Sequence, residues 1–312
     1  MTKSDGRNRL SPLTGFGSNP GELGAAIYAP PQLAKGAPLV VVLHGSTQDA
    51  ETYDRGSGWS MLADECGFAL LFPEQRRANN AGLGFNWFEP GDSGRDAGEP
   101  LSIRQMIERV ASDLEIDPDR IFVTGLSSGG AMACVLLATY PEVFAGGAVI
   151  GGLPYRTAST GLQAMMRMMG YGGPSDLQLG ALVRDATTHD ARWPTISVWH
   201  GDRDTTVAPS NADAIVRQWQ ALHGVEGPPT LTEEIAGHPR SVWRCPAGRE
   251  VIEAYRIADM AHGAPLDADG YGARGDYMLE VGISSTRRIA GFWGLTTPVG
   301  ISPRASEQIA AE

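Results

Sequence analysis

Short apolar runs alternate along this chain with segments of helical periodicity. Continuous apolar runs rich in β-branched residues are typical of strands that are buried on both faces of a parallel sheet. Such runs occupy residues 24–29, 38–43, 68–72, 121–123, 145–150 and 195–199, with weaker ones at 230–235 and 249–257. Helical spacing falls between and after them, at residues 59–66, 103–114, 131–137, 212–222 and 286–293. This alternation predicts an α/β fold with a mostly parallel central sheet flanked by helices.

The segments outside this pattern predict the domain organisation. Residues 1–20 are polar and rich in Gly, Ser and Pro, so we expect a flexible N-terminal tail. Residues 296–312 are expected to form a C-terminal tail, and residues 21–295 a single domain. Residues 153–193 lack a strand pattern and predict an insertion over the carboxyl edge of the sheet.

A Gly-x-Ser-x-Gly motif, Gly125-Leu126-Ser127-Ser128-Gly129, joins a predicted strand to a predicted helix. A nucleophile elbow requires this context, because its serine stands on a strained strand-to-helix turn flanked by small residues. The motif predicts Ser127 as a nucleophile. Two alternatives stay open, a Gly/Ser-rich turn without chemistry and a phosphate-cradling loop. The second is disfavoured because no P-loop lysine follows the glycines.

A serine nucleophile needs a base, and the base needs an orienting carboxylate. In folds with this elbow the acid and the histidine follow the serine in that order, each after a later strand. Asp202 and Asp204 both follow the run at 195–199, and Asp204 is favoured because it lies deeper in the loop. His262 follows a strand and opens a Gly/Ala/Pro loop, which predicts it as the base.

The other histidines that carry a prediction are assigned structural roles. His223 closes a helix and is expected to be a cation near the negative end of the helix dipole. His238 is expected in a solvent-facing hairpin turn. His200 is expected to shape the acid loop, and His44 to organise the loop that follows residues 38–43.

An oxyanion hole completes the predicted site. The tetrahedral intermediate of acyl transfer is stabilised by two backbone N–H donors, one after the nucleophile and one from the loop after the third strand. These donors are expected to be the amides of Ser128 and Ser46.

Six motifs together carry a family resemblance. They are Leu43-His44-Gly45-Ser46-Thr47-Gln48, Phe85-Asn86-Trp87-Phe88, Ile116-Asp117-Pro118-Asp119-Arg120, Gly125-Leu126-Ser127-Ser128-Gly129-Gly130, His200-Gly201 with Asp204-Thr205-Thr206-Val207, and Met260-Ala261-His262-Gly263. The set resembles the polyhydroxybutyrate depolymerase family of esterases, which is similar to the feruloyl and acetylxylan carbohydrate esterases. The resemblance covers residues 15–295 and implies an α/β-hydrolase fold, a Ser127–Asp204–His262 triad and no cofactor.

The sequence departs from this family at two cysteines. Members commonly have Cys at the position of Ser46 and again near Gly84, and their absence is consistent with the loss of a disulfide between two loops. The three cysteines present, Cys66, Cys134 and Cys245, show no disulfide framework and no zinc spacing. A reducing compartment is therefore expected, and with no signal peptide visible we predict a cytoplasmic location.

Three weaker features carry open interpretations. Trp87, together with Asn86 and Tyr155, is a candidate substrate contact, although an aromatic residue in a long loop is as often a packing anchor. The methionine-rich run at residues 164–169 predicts either an adaptable acyl pocket or, more commonly, the core-facing side of a short helix. The acidic residues at 267–276 resemble a Ca²⁺ loop, but the glycine falls too early for an EF-hand. We therefore expect a polar loop and no metal.

Charge and motif together define the expected function. The formal net charge of −11 disfavours nucleic-acid binding and favours neutral substrates, and no membrane association is predicted. The main hypothesis is a serine carboxylic-ester hydrolase that acts through an acyl-enzyme on short hydroxyalkanoate esters or oligomers. No Thr/Ser-rich linker or polymer-binding domain is seen, so soluble substrates are expected rather than solid polyester. The alternatives are a feruloyl or acetylxylan esterase, an acyl transferase, and a non-catalytic binding protein on a hydrolase scaffold.

Overall fold

Two sheets are present in the computed structural model, which describes residues 9–267 and 270–296. The strands are β1 (Ser11–Pro12), β2 (Gly24–Tyr28), β3 (Leu39–Leu43), β4 (Ala69–Glu74), β5 (Ile121–Leu126), β6 (Gly146–Ile150), β7 (Thr195–Gly201), β8 (Leu231–Ile235), β9 (His238–Arg244), β10 (Glu250–Ile257), β11 (Ala264–Leu266) and β12 (Met278–Glu280). The large sheet has ten strands in the order β1-β2-β4-β3-β5-β6-β7-β10-β9-β8, and β11 pairs with β12 apart from it.

The middle of the large sheet is parallel. Strands β4, β3, β5, β6, β7 and β10 run parallel to one another, while β2 and β1 at one margin and β9 and β8 at the other are added in antiparallel pairs. This topology confirms the predicted α/β fold with a mostly parallel sheet. Since parallel strands carry their carboxyl ends to one edge, the loops after β3, β5, β6, β7 and β10 lie at that edge.

Helices cover both faces of the sheet. They are α1 (Ala50–Ser57), α2 (Trp59–Cys66), α3 (Gly98–Asp113), α4 (Ser128–Thr139), α5 (Gly161–Met168), α6 (Asp176–Arg184), α7 (Ser210–His223) and α8 (Ser285–Phe292), with a 3₁₀ turn at Pro90–Asp92. Successive residues of β3 alternate between the two apolar cores, with Val41 on one side and Val42 on the other. Among these helices, none combines the length and the apolar character needed to cross a bilayer.

Helix α4 is the most deeply buried helix. Every residue from Ser128 to Thr139 is buried, so the segment is apolar all round rather than striped. Because this helix begins directly after Ser127, the residue that follows β5 is held by a rigid strand on one side and a core helix on the other.

The N-terminal segment differs from its prediction. Residues 9–20 were expected to be part of a flexible tail, but Ser11–Pro12 pairs with β2 and the Leu13 N–H donates to the Ala25 carbonyl at 2.9 Å. The guanidinium of Arg9 also contacts the carboxylate of Asp64. Polar composition alone misled here, because backbone pairing with an exposed sheet edge needs no apolar side chains. Residues 1–8, and the predicted C-terminal tail from residue 297 onward, lie outside the described residues.

The predicted insertion at residues 153–193 contains two helices, α5 and α6, and no strand. Helix α6 packs against α7, where a Cβ at Gly180 would lie 2.6 Å from the Ala221 Cβ. Helix α5 follows a Thr160 N-cap. The insertion thus joins β6 to β7 through helical structure.

The hairpin between β8 and β9 corrects the prediction for His238. Ala236 and Gly237 both have positive φ, 52° and 81°, as a two-residue turn of type I′ requires. The turn therefore ends before His238, which opens β9 and is 6 % exposed. Its Nε2 lies 2.9 Å from the Val281 carbonyl, and its Nδ1 accepts the Ala258 N–H at 3.1 Å. The expectation of a solvent-facing histidine was wrong.

The turn between β5 and α4 depends on close backbone contact. A Cβ at Gly125 would lie 2.3 Å from the Gly129 carbonyl oxygen, and a Cβ at Gly129 would lie 2.4 Å from the carbonyl oxygens of Leu43 and His44. These atoms belong to the backbone and have little freedom to move aside. Only glycine fits at both positions.

We expect Gly125→Ala and Gly129→Ala each to lower the free energy of unfolding by about 3 kcal/mol or more, because each methyl group would collide with main chain. Urea denaturation followed by circular dichroism measures the change. The matched control is Gly91→Ala, since a Cβ at Gly91 meets nothing within 4 Å. Equal stability of all three variants would contradict the close-contact account.

Candidate active site

Ser127 stands on a strained turn at the carboxyl end of β5. Its backbone has φ 56° and ψ −116°, a left-handed conformation that costs a non-glycine residue roughly 1–3 kcal/mol. The Ser127 N–H donates to the Ile150 carbonyl at 2.8 Å, and the Ser127 carbonyl accepts the Ala131 N–H at 2.9 Å. The turn is thus fixed to the end of β6 and to the first turn of α4.

Asp204 lies in the loop after β7, and four donors surround its carboxylate. Oδ1 accepts the backbone N–H groups of Thr206 and Val207 at 2.9 and 2.8 Å. Oδ2 lies 2.6 Å from His262 Nδ1 and 3.2 Å from His200 Nε2. Burial by itself opposes ionisation, but the bonds from His200, His262 and Val207 outweigh it and hold the pKa of Asp204 well below its usual range. The carboxylate is therefore ionised and fixed in orientation.

His262 follows β10, the parallel neighbour of β7. Because these strands are adjacent, their carboxyl ends deliver the acid and the histidine to the same place. The Arg203 N–H donates to the Met260 carbonyl at 3.1 Å, which ties the two loops together directly. His262 is 9 % exposed, and its Nδ1 faces Asp204 while Tyr277 packs edge-on against the ring at a 6.0 Å centroid distance.

Ser127 and His262 both lie beside the end of β6. Gly151 directly follows Ile150, whose carbonyl accepts the Ser127 N–H. A Cβ at Gly151 would lie 3.1 Å from His262 Cε1 and 3.7 Å from Asp204 Oδ2. Gly151 has φ 54°, so its left-handed backbone and its closeness to the imidazole both favour glycine. The three predicted triad positions thus converge on one strand end.

The loop after β3 approaches Ser127 from the other side. Ser46 Oγ donates to Ser128 Oγ at 3.2 Å, so this loop touches the first residue of α4. The Ser128 N–H belongs to the first turn of α4, where N–H groups lack an intrahelical acceptor. The two predicted oxyanion donors therefore lie on adjacent segments.

His44 organises this loop, as the sequence predicted. Its Nε2 accepts the Gln75 N–H at 3.1 Å, so the ring proton is on Nδ1, which donates to the Gly45 carbonyl at 2.8 Å. Burial lowers the pKa of His44, and the ring is therefore neutral. The Gly45 N–H in turn donates to Gln48 Oε1 at 2.9 Å.

A buried carboxyl group that the sequence analysis missed supports this region. Glu99, on α3, is fully buried, and Oε1 accepts the Gln75 amide at 2.6 Å while Oε2 accepts the Asn86 N–H at 2.9 Å. Gln75 Nε2 also donates to the Gly84 carbonyl at 3.1 Å. Burial, reinforced by nearby Asp92, raises the pKa of Glu99 to about 8. Glu99 thus links α3 to the end of β4 and to the loop that contains Gly84 and Asn86.

His200 and His223 were also predicted to have structural roles. His200 shapes the acid loop as predicted, because its Nε2 lies 2.8 Å from the Val207 carbonyl as well as 3.2 Å from Asp204. His223 does close α7, but the prediction that it is a cation was wrong. Burial lowers its pKa to about 4, and its Nε2 bonds the Pro194 carbonyl at 3.0 Å, so the ring is neutral at pH 7.

The candidate substrate contacts have internal partners. Trp87 is 5 % exposed and packs edge-on against Phe88 at 5.3 Å between ring centroids. Asn86 Oδ1 accepts the Asn80 amide at 2.8 Å. Tyr155 is 2 % exposed, and its hydroxyl donates to the Ser93 carbonyl at 3.2 Å. These contacts give all three residues packing roles, and their contact with substrate stays a prediction.

Most of the methionine-rich run does not face the core. Met165, Met166 and Met169 are 53, 43 and 56 % exposed, whereas Ala164 and Arg167 of the same helix are buried. The interpretation of this run as a core-facing side holds for Ala164 and Met168, which pack against the core, and was wrong for Met165, Met166 and Met169.

No group of three or more potential metal ligands that could hold an ion lies among residues 9–267 and 270–296. The acidic loop at 267–276 lies partly outside the described residues, at 268–269. Cys66, Cys134 and Cys245 are free thiols.

The comparisons with known proteins agree with this geometry. The family model described as "Esterase PHB depolymerase" matches residues 23–232, about two thirds of the chain. The chain belongs to the PHB depolymerase esterase family. The poly(3-hydroxyalkanoate) depolymerase C of Paucimonas lemoignei is 40 % identical over 92 % of this chain and 70 % of its own length.

Relatives of this PHB depolymerase family member include carbohydrate esterases. The feruloyl esterase B of Thermothelomyces thermophilus is 31 % identical over 75 % of this chain and 80 % of its own length. An acetyl xylan esterase from Aspergillus awamori superposes with a TM-score of 0.78 over 92 % of this chain and 99 % of its own, at 23 % identity. The structural match shows the shared fold. Together these relatives and the buried His262–Asp204 pair establish a carboxylic-ester hydrolase of the α/β-hydrolase fold.

The raised pKa of Glu99 makes the stability of the wild-type protein, relative to Glu99→Gln, depend on pH. Its folded-state pKa, about 8, lies above the ordinary 4.5, so its protonated form contributes stability that is full below pH 4.5 and is lost as the pH rises through 8. We expect the unfolding free energy of wild type relative to Glu99→Gln to fall by a few kcal/mol from pH 5 to pH 9, since one pKa unit corresponds to about 1.4 kcal/mol. Urea unfolding at several pH values measures it.

Glu108→Gln, an exposed change on the same helix, is the control and should leave the pH profile unchanged. A constant difference between wild type and Glu99→Gln across the range would contradict the raised pKa.

Ser46 and Gly84 lie so close together that cysteines introduced at both positions are expected to form a disulfide. A Cβ at Gly84 would lie 2.7 Å from Ser46 Oγ, close enough for sulfur atoms at these positions to bond. We expect Ser46→Cys combined with Gly84→Cys to oxidise readily and, by closing a loop of roughly 40 residues, to stabilise the protein by about 3–4 kcal/mol. Intact mass and thermal unfolding with and without reductant measure both effects. The single variants are the controls, and a double variant that stays reduced in oxidant would refute the inferred spacing.

Proposed function

We propose that this enzyme hydrolyses carboxylic esters through a Ser127 acyl-enzyme, with His262 as the base and Asp204 as the orienting acid. The observation that carries the proposal is the 2.6 Å contact between His262 Nδ1 and Asp204 Oδ2 beside the turn that bears Ser127. Because Nδ1 donates to the carboxylate, the basic nitrogen of the neutral imidazole is Nε2.

The first half-reaction forms the acyl-enzyme. Ser127 Oγ attacks the ester carbonyl carbon while His262 Nε2 takes the hydroxyl proton. The negative charge that develops on the carbonyl oxygen is stabilised by the N–H groups of Ser46 and Ser128. Collapse of this intermediate breaks the ester C–O bond, and His262 returns the proton to the leaving alcohol.

The second half-reaction regenerates the enzyme. Water attacks the acyl carbon as His262 takes one of its protons, and the carboxylic acid leaves as Ser127 recovers its proton. The imidazolium that forms in each half is stabilised by the Asp204 carboxylate. With four donors on its two oxygens, this carboxylate has little freedom to turn away.

The proposed substrates are hydroxyalkanoate esters and their oligomers. The 40 % identity to a poly(3-hydroxyalkanoate) depolymerase over most of the chain supports this class. A net charge of −11 also favours neutral esters over anionic ones. The second candidate, a feruloyl or acetylxylan ester, has its support in the 31 % identity to a feruloyl esterase. The cytoplasmic location predicted from sequence stays a prediction.

A side-by-side assay separates the two substrate classes. We expect kcat/KM for a 3-hydroxybutyrate trimer to exceed that for methyl ferulate by at least about tenfold, which corresponds to ~1.4 kcal/mol of transition-state discrimination. Chromatographic analysis of the released acids measures both. Hydrolysis of the ferulate alone would refute the hydroxyalkanoate assignment.

Covalent labelling tests the nucleophile. We expect a fluorophosphonate to add one phosphonyl group to the wild-type protein, and Ser127→Ala to remain unlabelled with activity reduced at least about 10³-fold. Intact mass spectrometry measures labelling. Ser128→Ala is the matched control, since its backbone N–H is retained, and it should still be labelled. Labelling of Ser127→Ala to the wild-type extent would overturn the mechanism.

A further inference from the structure

Tyr277 contacts the proposed base directly. Its ring packs edge-on against the His262 imidazole, with 6.0 Å between the ring centroids. Its main chain is held at the same place, because the Tyr277 carbonyl accepts the Ala264 N–H at 2.7 Å and would lie 2.6 Å from a Cβ at Gly263. Tyr277 therefore lies beside the histidine loop of the candidate active site.

The turn that contains Tyr277 also reaches the loop after β3. This turn, residues 275–278, is closed by a 3.0 Å hydrogen bond from its last N–H to its first carbonyl. Gln48 donates its side-chain amide to the Asp276 carbonyl at 3.2 Å. Gln48 lies two residues beyond Ser46, the predicted oxyanion donor. The turn thus connects the loop of the base to the loop of that donor.

The backbone of Tyr277 is strained. As the third of the four turn residues it has φ 61°, a left-handed conformation that type II turns need at this position and usually obtain from glycine. A bulky residue with positive φ is uncommon, because its Cβ crowds the main chain. Strain of this kind concentrates at functional sites, and Ser127 has the same feature at φ 56°. The turn itself therefore gives no reason for a tyrosine.

Burial does not explain the tyrosine either. Tyr277 is 40 % exposed, and its hydroxyl has no hydrogen-bond partner among residues 9–267 and 270–296. The hydroxyls of the buried Tyr140 and Tyr155, by contrast, each donate to another residue. A phenol that touches the base, reaches solvent and keeps a free donor is available to contact a substrate.

The charges around the turn favour an uncharged acceptor for this hydroxyl. Arg55 and Arg274 line a cavity of 330 Å³ together with Asp276, the residue before Tyr277. Both cations have carboxylate neighbours, since Arg274 pairs with Glu280 and the Arg55 guanidinium lies 4.0 Å from Glu51. The exposed Asp276 carboxylate has no ion pair within the part of the chain that the structure describes. A carboxylate ligand would therefore meet net negative charge here, whereas an ester carbonyl would not.

We propose that the Tyr277 hydroxyl donates a hydrogen bond to a second ester carbonyl of a hydroxyalkanoate oligomer, next to the ester that Ser127 attacks. The inference rests on the proposed function, because it takes such oligomers as the substrate. Each repeat of the oligomer carries an ester carbonyl, so a contact at a neighbouring repeat distinguishes a chain from the ester of a single acid. Tyr277 is then a residue that determines specificity for oligomers.

The test removes one oxygen atom and compares two substrates. Tyr277→Phe deletes the hydroxyl and keeps the ring that contacts His262. The methyl ester of the 3-hydroxybutyrate trimer has several ester carbonyls and no charge, whereas methyl 3-hydroxybutyrate has only the reacting one. Chromatography of the released acids measures kcat and KM for both esters. The matched control is Tyr171→Phe, which deletes the hydroxyl of another exposed tyrosine.

We expect Tyr277→Phe to lower kcat/KM for the trimer ester about fivefold, equivalent to ~1 kcal/mol, mainly through a higher KM because the contacted carbonyl does not react. Its kcat/KM for methyl 3-hydroxybutyrate should stay within about twofold of wild type, and Tyr171→Phe should match wild type on both esters. An equal loss on both esters, or no loss on the trimer ester, would overturn the proposal. Failure of the wild type to hydrolyse either ester would instead refute the proposed substrate class.

The pH profile separates substrate contact from an effect on the base. Tyr277→Phe should leave the pH dependence of kcat/KM unchanged, because the contact with the imidazole belongs to the ring. A shifted profile would assign the hydroxyl to positioning of His262 and would overturn the proposed contact.

The strain argument has its own measurement. Tyr277→Gly and Tyr277→Ala both remove the ring and the hydroxyl, but only glycine adopts φ 61° freely. We expect Tyr277→Gly to unfold at a higher urea concentration than Tyr277→Ala, and both to lose the preference for the trimer ester. A glycine variant no more stable than the alanine variant would show that the turn does not strain a side chain, and would remove the backbone support for the proposal.

Discussion

The carboxylate of Asp204 is the constraint on which the rest of the site depends. Its four hydrogen bonds come from two backbone N–H groups of its own loop and from two imidazoles, His200 and His262. His200 lies near the carboxyl end of β7 and His262 follows β10, its parallel neighbour, so the carboxylate is fixed only when these strands are in register. The sheet thereby determines where the acid and the base meet, and side-chain bonds determine only their final orientation.

The opposite side of the site is held by a different kind of contact. Glu99 on α3 bonds Gln75 after β4 and the backbone of Asn86, and Gln75 in turn bonds His44. This chain of hydrogen bonds joins a helix, a strand end and two loops through groups that are almost fully buried. Because buried polar groups are costly when they lose a partner, each member constrains the next. The loop that contains Ser46 is thus positioned in part by these buried polar contacts.

The fold, and the order in which the candidate site residues follow one another along the chain, could be predicted from the sequence. The buried strands of the parallel sheet have an apolar signal that does not depend on context, and the Gly125–Gly129 turn is specific once a strand precedes it and a helix follows. What could not be predicted needed tertiary information. Glu99 precedes the helical spacing at residues 103–114, and nothing local shows that its carboxyl group is buried. His238 follows a Gly and precedes a Pro, which concealed a strand start.

Helix α1, which the sequence analysis missed, and helix α5, whose orientation it misjudged, show the same limit. Helix α1 has too few apolar residues for helical periodicity to be visible, and α5 has a clear stripe that local pattern assigns to the core. Periodicity identifies which residues share a side, but the orientation of that side depends on the elements around it. In α5, Ala164 and Arg167 face inward, whereas Met165, Met166 and Met169 face solvent.

The left-handed backbone at Ser127 has a consequence for how sequence relates to stability in this protein. Glycine would occupy φ 56° without strain, so the residue that suits the fold best at this position is one that has no hydroxyl group. The fold can hold a serine there only because β5 and α4 are buried deeply enough to resist relaxation. The most stable sequence for this architecture and its active sequence are therefore different, and the difference lies at the reacting atom itself.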